Sequence, residues 1–115
     1  MSVKIYHNPR CTKSRQTLQL LKDRGIEPEV IEYLKTPPSS AELTDILEKL
    51  AMEPRDLIRK QEAEYKANGL DDKALDKQSL IDGMVAHPIL IERPIVIANN
   101  KAAVGRPPEN ILSIL

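Results

Sequence analysis

One cysteine occurs in the chain, and its nearest charged neighbours are all basic. Cys11 stands in the stretch YHNPRCTKSR, with His7 four positions before it, Arg15 four after it, and Arg10 and Lys13 alongside. A structural thiol favours apolar surroundings, whereas this one sits among cations and hydroxyls. The thiolate is the reactive form. Neighbouring Arg or Lys brings a thiol from about 8.5 down to roughly 3.5–7.5, which makes Cys11 a candidate nucleophile. The sequence places it where the loop after a first strand meets a first helix. Free N–H groups and a partial positive charge at a helix start favour a thiolate, and they favour a bound anion as well. His7 would add a charge or a hydrogen bond if its ring faces the sulfur.

Three further arginines stand out by context: Arg59 in LIRK, Arg93 in IERPIV and Arg106 in GRPPEN. The last two fall at element boundaries, where loops carry function. Guanidinium forks donate paired hydrogen bonds that suit a tetrahedral oxyanion. Spacing alone does not bring the three together. His87 in AHPIL reads as structural, and Tyr33 and Tyr65 read as packing residues. No pair of carboxylates has a spacing suited to acid–base work. A single cysteine excludes an internal disulfide and a multi-cysteine metal site. Redox turnover at Cys11 must therefore take its electrons from an external thiol. No metal is expected.

The elements that must position these groups alternate in type. VKIY (3–6) reads as a strand, Ser14 to Arg24 as a helix stopped by Gly25, and EVIEY (29–33) as a second strand. That order suggests a βαβ unit with parallel strands. Thr17, Leu18, Leu20 and Leu21 share the first helix's apolar face. A helical region follows. Ser39 and Glu42 form a capping box ahead of Leu43, Ile46, Leu47 and Leu50. Residues 54–69 read as one further helix, and residues 76–86 as another. PIVIA (94–98) and KAAVG (101–105) read as a hairpin turning at Asn99–Asn100, and RPPENILSIL as a short closing helix.

At 115 residues the chain is one domain, expected over 1–115, and it can bury a core without staples. Phe and Trp are absent, so Leu, Ile and Val must fill that core. The N-terminus has no apolar signal region and no run is long enough to span a membrane, so a reducing cytoplasm is the expected location. The formal net charge is zero, which argues against bulk nucleic-acid binding. Charge is nevertheless uneven. Residues 1–24 carry six Lys or Arg against one Asp, while residues 27–82 carry eight basic against fourteen acidic residues. The positive excess surrounds Cys11, which suits a small anion. A monomer is expected.

YHNPRCTKSRQTL, YLKTPP, LIRK, LIDGMVAHPILIERPIV and GRPPENIL, taken together and in this order, resemble the glutaredoxin-coupled arsenate reductases, the ArsC-like proteins. The resemblance runs from about residue 3 to the end. It implies an α/β fold: a thioredoxin-like mixed sheet with an inserted helical subdomain, here about 39–87. It also implies a cis-proline at Pro94. Cys11, His7 and Arg15 match the family's His-x3-Cys-x3-Arg, which implies catalytic roles for them, and Arg59, Arg93 and Arg106 match its anion-binding arginines. The implied reaction is reduction of arsenate, or a similar oxyanion. Cys11 attacks arsenic, with glutathione as co-substrate, glutaredoxin as partner and no bound cofactor. The stretch NPRCTKS departs from the NPACGTS of resistance enzymes by placing Arg10 and Thr12 beside the thiol.

Two other readings share the fold. Spx-type regulators bind RNA polymerase and use a Cys-x-x-Cys switch, but CTKS carries Ser14 in place of the second cysteine. A general glutathione-linked thiol reductase would need little from Arg59, Arg93 and Arg106.

Overall fold

The computed structural model describes residues 2–115. Their backbone forms two compact units. One joins the segment up to Thr36 with Arg93–Leu115, and the other is Pro37–Glu92.

The first unit is built on a four-stranded sheet: β1 (Val3–His7), β2 (Glu29–Glu32), β3 (Ile95–Ala98) and β4 (Lys101–Val104), in spatial order β2-β1-β3-β4. β1 pairs in parallel with β2, whereas the β1–β3 and β3–β4 pairs are antiparallel. The sheet is therefore mixed, and α1 (Thr12–Asp23) is the crossover between its parallel strands. Period-two alternation puts Val3, Ile5 and His7 on one face of β1. Val3 lies opposite Ala98 and Ile5 opposite Val96. These four apolar residues join Leu21 of α1 and Ile111 and Ile114 of the C-terminal segment in one buried cluster. α1 buries Ser14, Thr17 and Leu21, residues three and four apart that share one face. At its C-terminus Gly25 adopts φ +74, a left-handed conformation that glycine reaches at least cost. The closing segment Pro108–Ile114 is a 3-10 helix with Pro108 in its first turn.

The second unit is helical: α2 (Ser40–Leu50), α3 (Pro54–Leu57), α4 (Ala63–Ala67) and α5 (Lys77–Ala86). The Ser39–Glu42 capping box is formed in both directions. α2 buries Leu43, Ile46 and Leu47, and α5 buries Leu80, Ile81 and Met84. The single helix expected over 54–69 is broken in two. Ile58 turns extended and bridges to Ile91. Arg59 N donates to Leu90 O at 2.7 Å, and Glu92 N donates to Leu57 O at 3.0 Å. These long-range backbone bonds replace the helical ones that IRKQE would otherwise make. A short 3-10 turn, Pro88–Leu90, which the sequence reading did not anticipate, supplies the acceptor carbonyl. Tyr33 in the sheet unit and Tyr65 in the helical unit are both buried. Among the described residues no helix is long and apolar enough to cross a membrane.

Candidate active site

Strand register assembles the site. β1 ends at His7, and its loop leads to Cys11. Tyr6, near that end, pairs with Ile95 at the start of β3, and Ile95 pairs with Val104 at the end of β4. The Cys11 loop, Arg93 just before β3 and Arg106 just after β4 therefore emerge at one end of the sheet. Arg106 Nη1 lies 3.7 Å from Cys11 Sγ and donates to Arg93 O at 3.2 Å. The Arg93–Pro94 and Arg106–Pro107 peptide bonds are both cis.

Gly105 permits this approach. Its N–H donates to Pro94 O at 2.9 Å. A Cβ at this position would stand 2.5 Å from Thr17 Oγ1 and 2.9 Å from the Pro94 ring. Only a residue without a side chain lets β4 run this close to α1, and Arg106 is the next residue.

Cys11 is the N-cap of α1, with extended φ and ψ, and it is partly buried. Its own N–H donates to Asn8 O at 3.0 Å. Burial pushes the thiol up. The backbone N–H of Ser14, the Arg93 guanidinium by hydrogen bonding and charge, and Arg106 outweigh it, and the thiol rests below its ordinary value. Ser14 occupies the third position of the helix, the place from which a backbone N–H faces an N-cap side chain. The thiolate is thus favoured by one helix end and two guanidiniums from outside the helix.

Behind the thiol lies a buried polar knot. Ser14 Oγ is 2.6 Å from His7 Nδ1 and accepts from Asn8 N at 3.0 Å. The His7 ring therefore engages Ser14. Burial pushes its pKa below the ordinary value; Glu32 opposes the shift, while Lys22 and Arg15 reinforce it. The extra charge considered for His7 is absent at neutral pH, because a buried imidazole resists protonation. Arg15 donates to Pro9 O at 3.0 Å and to Thr12 Oγ1 at 3.3 Å, closing the loop over the start of α1. Arg10 is exposed, and its N–H is held by Asn8 Oδ1 at 3.0 Å.

Arg59 belongs to the helical unit. There its Nη1 donates to Glu92 Oε1 at 2.9 Å and its Nε to Glu62 Oε1 at 3.3 Å. Sequence reasoning identified Cys11, Arg93 and Arg106, and these meet. It passed over Ser14, Asn8 and Gly105. The capping position of Ser14, three residues after an N-cap thiol, was the available signal for the first.

The chain matches the model of the ArsC family over residues 6–114. It is 53% identical over 114 residues to an arsenate reductase of Neisseria meningitidis serogroup B, covering 98% of this chain and 97% of that one. It is 55% identical over 114 residues to the uncharacterized protein YfgD of Escherichia coli (strain K12), covering 98% and 96%. Among solved structures, the arsenate reductase from Vibrio cholerae superposes with a TM-score of 0.97 at 51% identity, covering all of this chain and 98% of that one.

Proposed function

Because this chain belongs to the ArsC family, we propose that it reduces arsenate to arsenite through Cys11 alone, with glutathione and glutaredoxin supplying the electrons. The names of its relatives support the substrate. One observation carries the chemistry: Arg106 Nη1 stands 3.7 Å from the sulfur of a thiol held below its ordinary pKa.

In the proposed reaction the Cys11 thiolate attacks arsenic. An S–As bond forms, and one oxygen departs as water after taking up protons. Arg93 and Arg106 donate to the remaining oxygens and stabilise the charge that develops on them. Arg59 is assigned to the same anion on the strength of the family match alone. Glutathione then attacks the adduct. Two thiols lose one electron each, arsenic gains two, and the sulfurs leave as a disulfide. Glutaredoxin and further glutathione return Cys11 to the thiol. With no second cysteine in the chain, an external thiol is required. His7 and Arg15 act on the loop, His7 through Ser14 and Arg15 through Pro9 and Thr12, and so position the nucleophile. The reaction belongs in a reducing cytoplasm, where Cys11 stays reduced.

The test is a coupled assay with purified protein, arsenate, glutathione and glutaredoxin, following NADPH consumption through glutathione reductase. Wild-type protein should turn over, and Cys11→Ser should be folded and inactive. Turnover by Cys11→Ser would remove the nucleophile assignment. Absence of turnover in the wild type would remove the substrate assignment.

A further inference from the structure

We infer that Arg10 is a specificity-determining residue: its guanidinium collects small anions beside the thiol and makes the rate of reaction at Cys11 depend on the charge of the incoming reagent. This rests on the reading of Cys11 as a nucleophile. The backbone fixes where Arg10 starts. Asn8–Cys11 is a tight turn, closed by the Cys11 N–H donating to Asn8 O at 3.0 Å, with Pro9 at its second position. The Arg10 N–H donates to Asn8 Oδ1 at 3.0 Å, so the asparagine side chain braces the turn from within. Asn8 is itself buried, and its N–H donates to Ser14 Oγ at 3.0 Å, which fastens the turn to α1. Arg10 therefore leaves a fixed corner, bonded directly to the residue that carries the sulfur and about 3.8 Å from it between Cα atoms. Its side chain is exposed.

The arginines considered for the site divide by what they already hold. Arg93 and Arg106 are engaged on the sulfur. Arg15 donates to Pro9 O and Thr12 Oγ1, and Arg59 to Glu62 and Glu92. The Arg10 side chain has no hydrogen bond or ion pair among the described residues, so all five of its donors are open to a ligand. The only acid in residues 1–24 is Asp23, at the far end of α1. Lys13 is exposed as well, but it lines a groove along α1 that Cys11 does not line. The groups that lower the thiol are the Ser14 N–H, Arg93 and Arg106. Arg10 thus acts on what approaches the sulfur. One charge at roughly 6 Å in water changes the local concentration of a monoanion by about threefold. A dianion gains the square of that factor, roughly tenfold, so the residue favours doubly charged oxyanions over singly charged and neutral reagents.

Alkylation by iodoacetate and by iodoacetamide tests this without arsenate, and so stands apart from the substrate assignment. The chemistry of the two is the same. The Cys11 thiolate attacks the methylene carbon, an S–C bond forms, and iodide leaves with the electron pair of the C–I bond. Only iodoacetate carries a charge. At about 0.01 M salt the ratio of the iodoacetate rate to the iodoacetamide rate should fall about threefold in Arg10→Ala and stay near wild type in Arg10→Lys, which keeps the charge. At about 1 M salt, where the screening length is about 3 Å, wild type and Arg10→Ala should converge. The pH profile of the iodoacetamide reaction should not move in Arg10→Ala. An unchanged ratio in Arg10→Ala at low salt overturns the assignment and leaves the nucleophile standing. So does an equal fall in Lys13→Ala, which would trace the effect to net charge, or an upward shift of the Arg10→Ala pH profile, which would trace it to the thiol. If wild-type Cys11 reacts with neither reagent, the nucleophile reading falls and the role of Arg10 falls with it.

Discussion

Arg106 Nη1 lies 3.7 Å from Cys11 Sγ across 95 positions of sequence. The antiparallel β1–β3–β4 path brings them together, because it returns the chain to the end of the sheet from which the Cys11 loop leaves. The closeness of the sulfur and its cations therefore follows from the strand order.

Removing either cation should act on both the thiol and the reaction. Arg93→Ala and Arg106→Ala each delete a group that lowers the Cys11 pKa. The pH at which alkylation of the thiol is half-maximal should rise in both. Arsenate turnover should fall on the order of 10²–10³ per donor removed from the developing oxyanion. Unchanged pH profiles and unchanged turnover in both variants would dismiss the cradle.

Ser14→Ala should separate fold from thiol chemistry. The hydroxyl serves His7 Nδ1 and Asn8 N, both buried, so its loss leaves them without that partner. A cost of about 1–3 kcal/mol is expected in urea unfolding. The backbone N–H at position 14 remains, so the alkylation profile of Cys11 should hardly move. A large shift in that profile with unchanged stability would reverse the assignment.

His7 makes stability depend on pH in a definite direction. Burial holds its native pKa below the ordinary 6.5. As pH falls below that value the unfolded chain takes up a proton that the native state refuses, so the unfolded state binds more protons and stability declines. The contribution is complete above 6.5 and is lost between there and the lower native pKa. Urea midpoints at about pH 7.5 and about pH 5.5 should differ more for wild type than for His7→Gln. Parallel shifts in the two proteins would contradict it.

Gly105→Ala tests the close approach of β4 to α1. The new methyl would meet Thr17 Oγ1 and the Pro94 ring. Overpacking of this kind costs about 1–3 kcal/mol. Relief by backbone movement would shift the next residue, Arg106, so the thiol pKa should rise alongside the fall in stability. A variant as stable as wild type with an unaltered thiol would show that the contact relaxes freely.

The legible part of this molecule was its local chemistry. The β-rich apolar run VKIY, the Ser39–Glu42 box and the apolar spacing of Leu43, Ile46, Leu47 and Leu50 each settle structure within a few residues; the strand, the box and the helix form as read, with Leu50 half-buried at the helix end. Cys11 at a helix start was legible for the same reason. What escaped was decided by distant backbone. IRKQE has ordinary helix formers, yet pairing with the Pro88–Glu92 stretch draws Ile58 and Arg59 out of helix. Gly105 has no positive φ to mark it as a turn glycine, and its importance arises only when Thr17 and Pro94 are brought against it. Arg59, Arg93 and Arg106 look alike in sequence. Only the fold shows that two of them act on the sulfur while the third holds Glu62 and Glu92 in the helical unit.

The central claim, a sulfur kept anionic by a helix end and two guanidiniums, is tested most directly by the rate of Cys11 alkylation by iodoacetamide across pH. The account predicts a single inflection clearly below that of a free thiol, about 8.5, moving upward in Arg93→Ala. An inflection at or above the free-thiol value in the wild-type protein would contradict it.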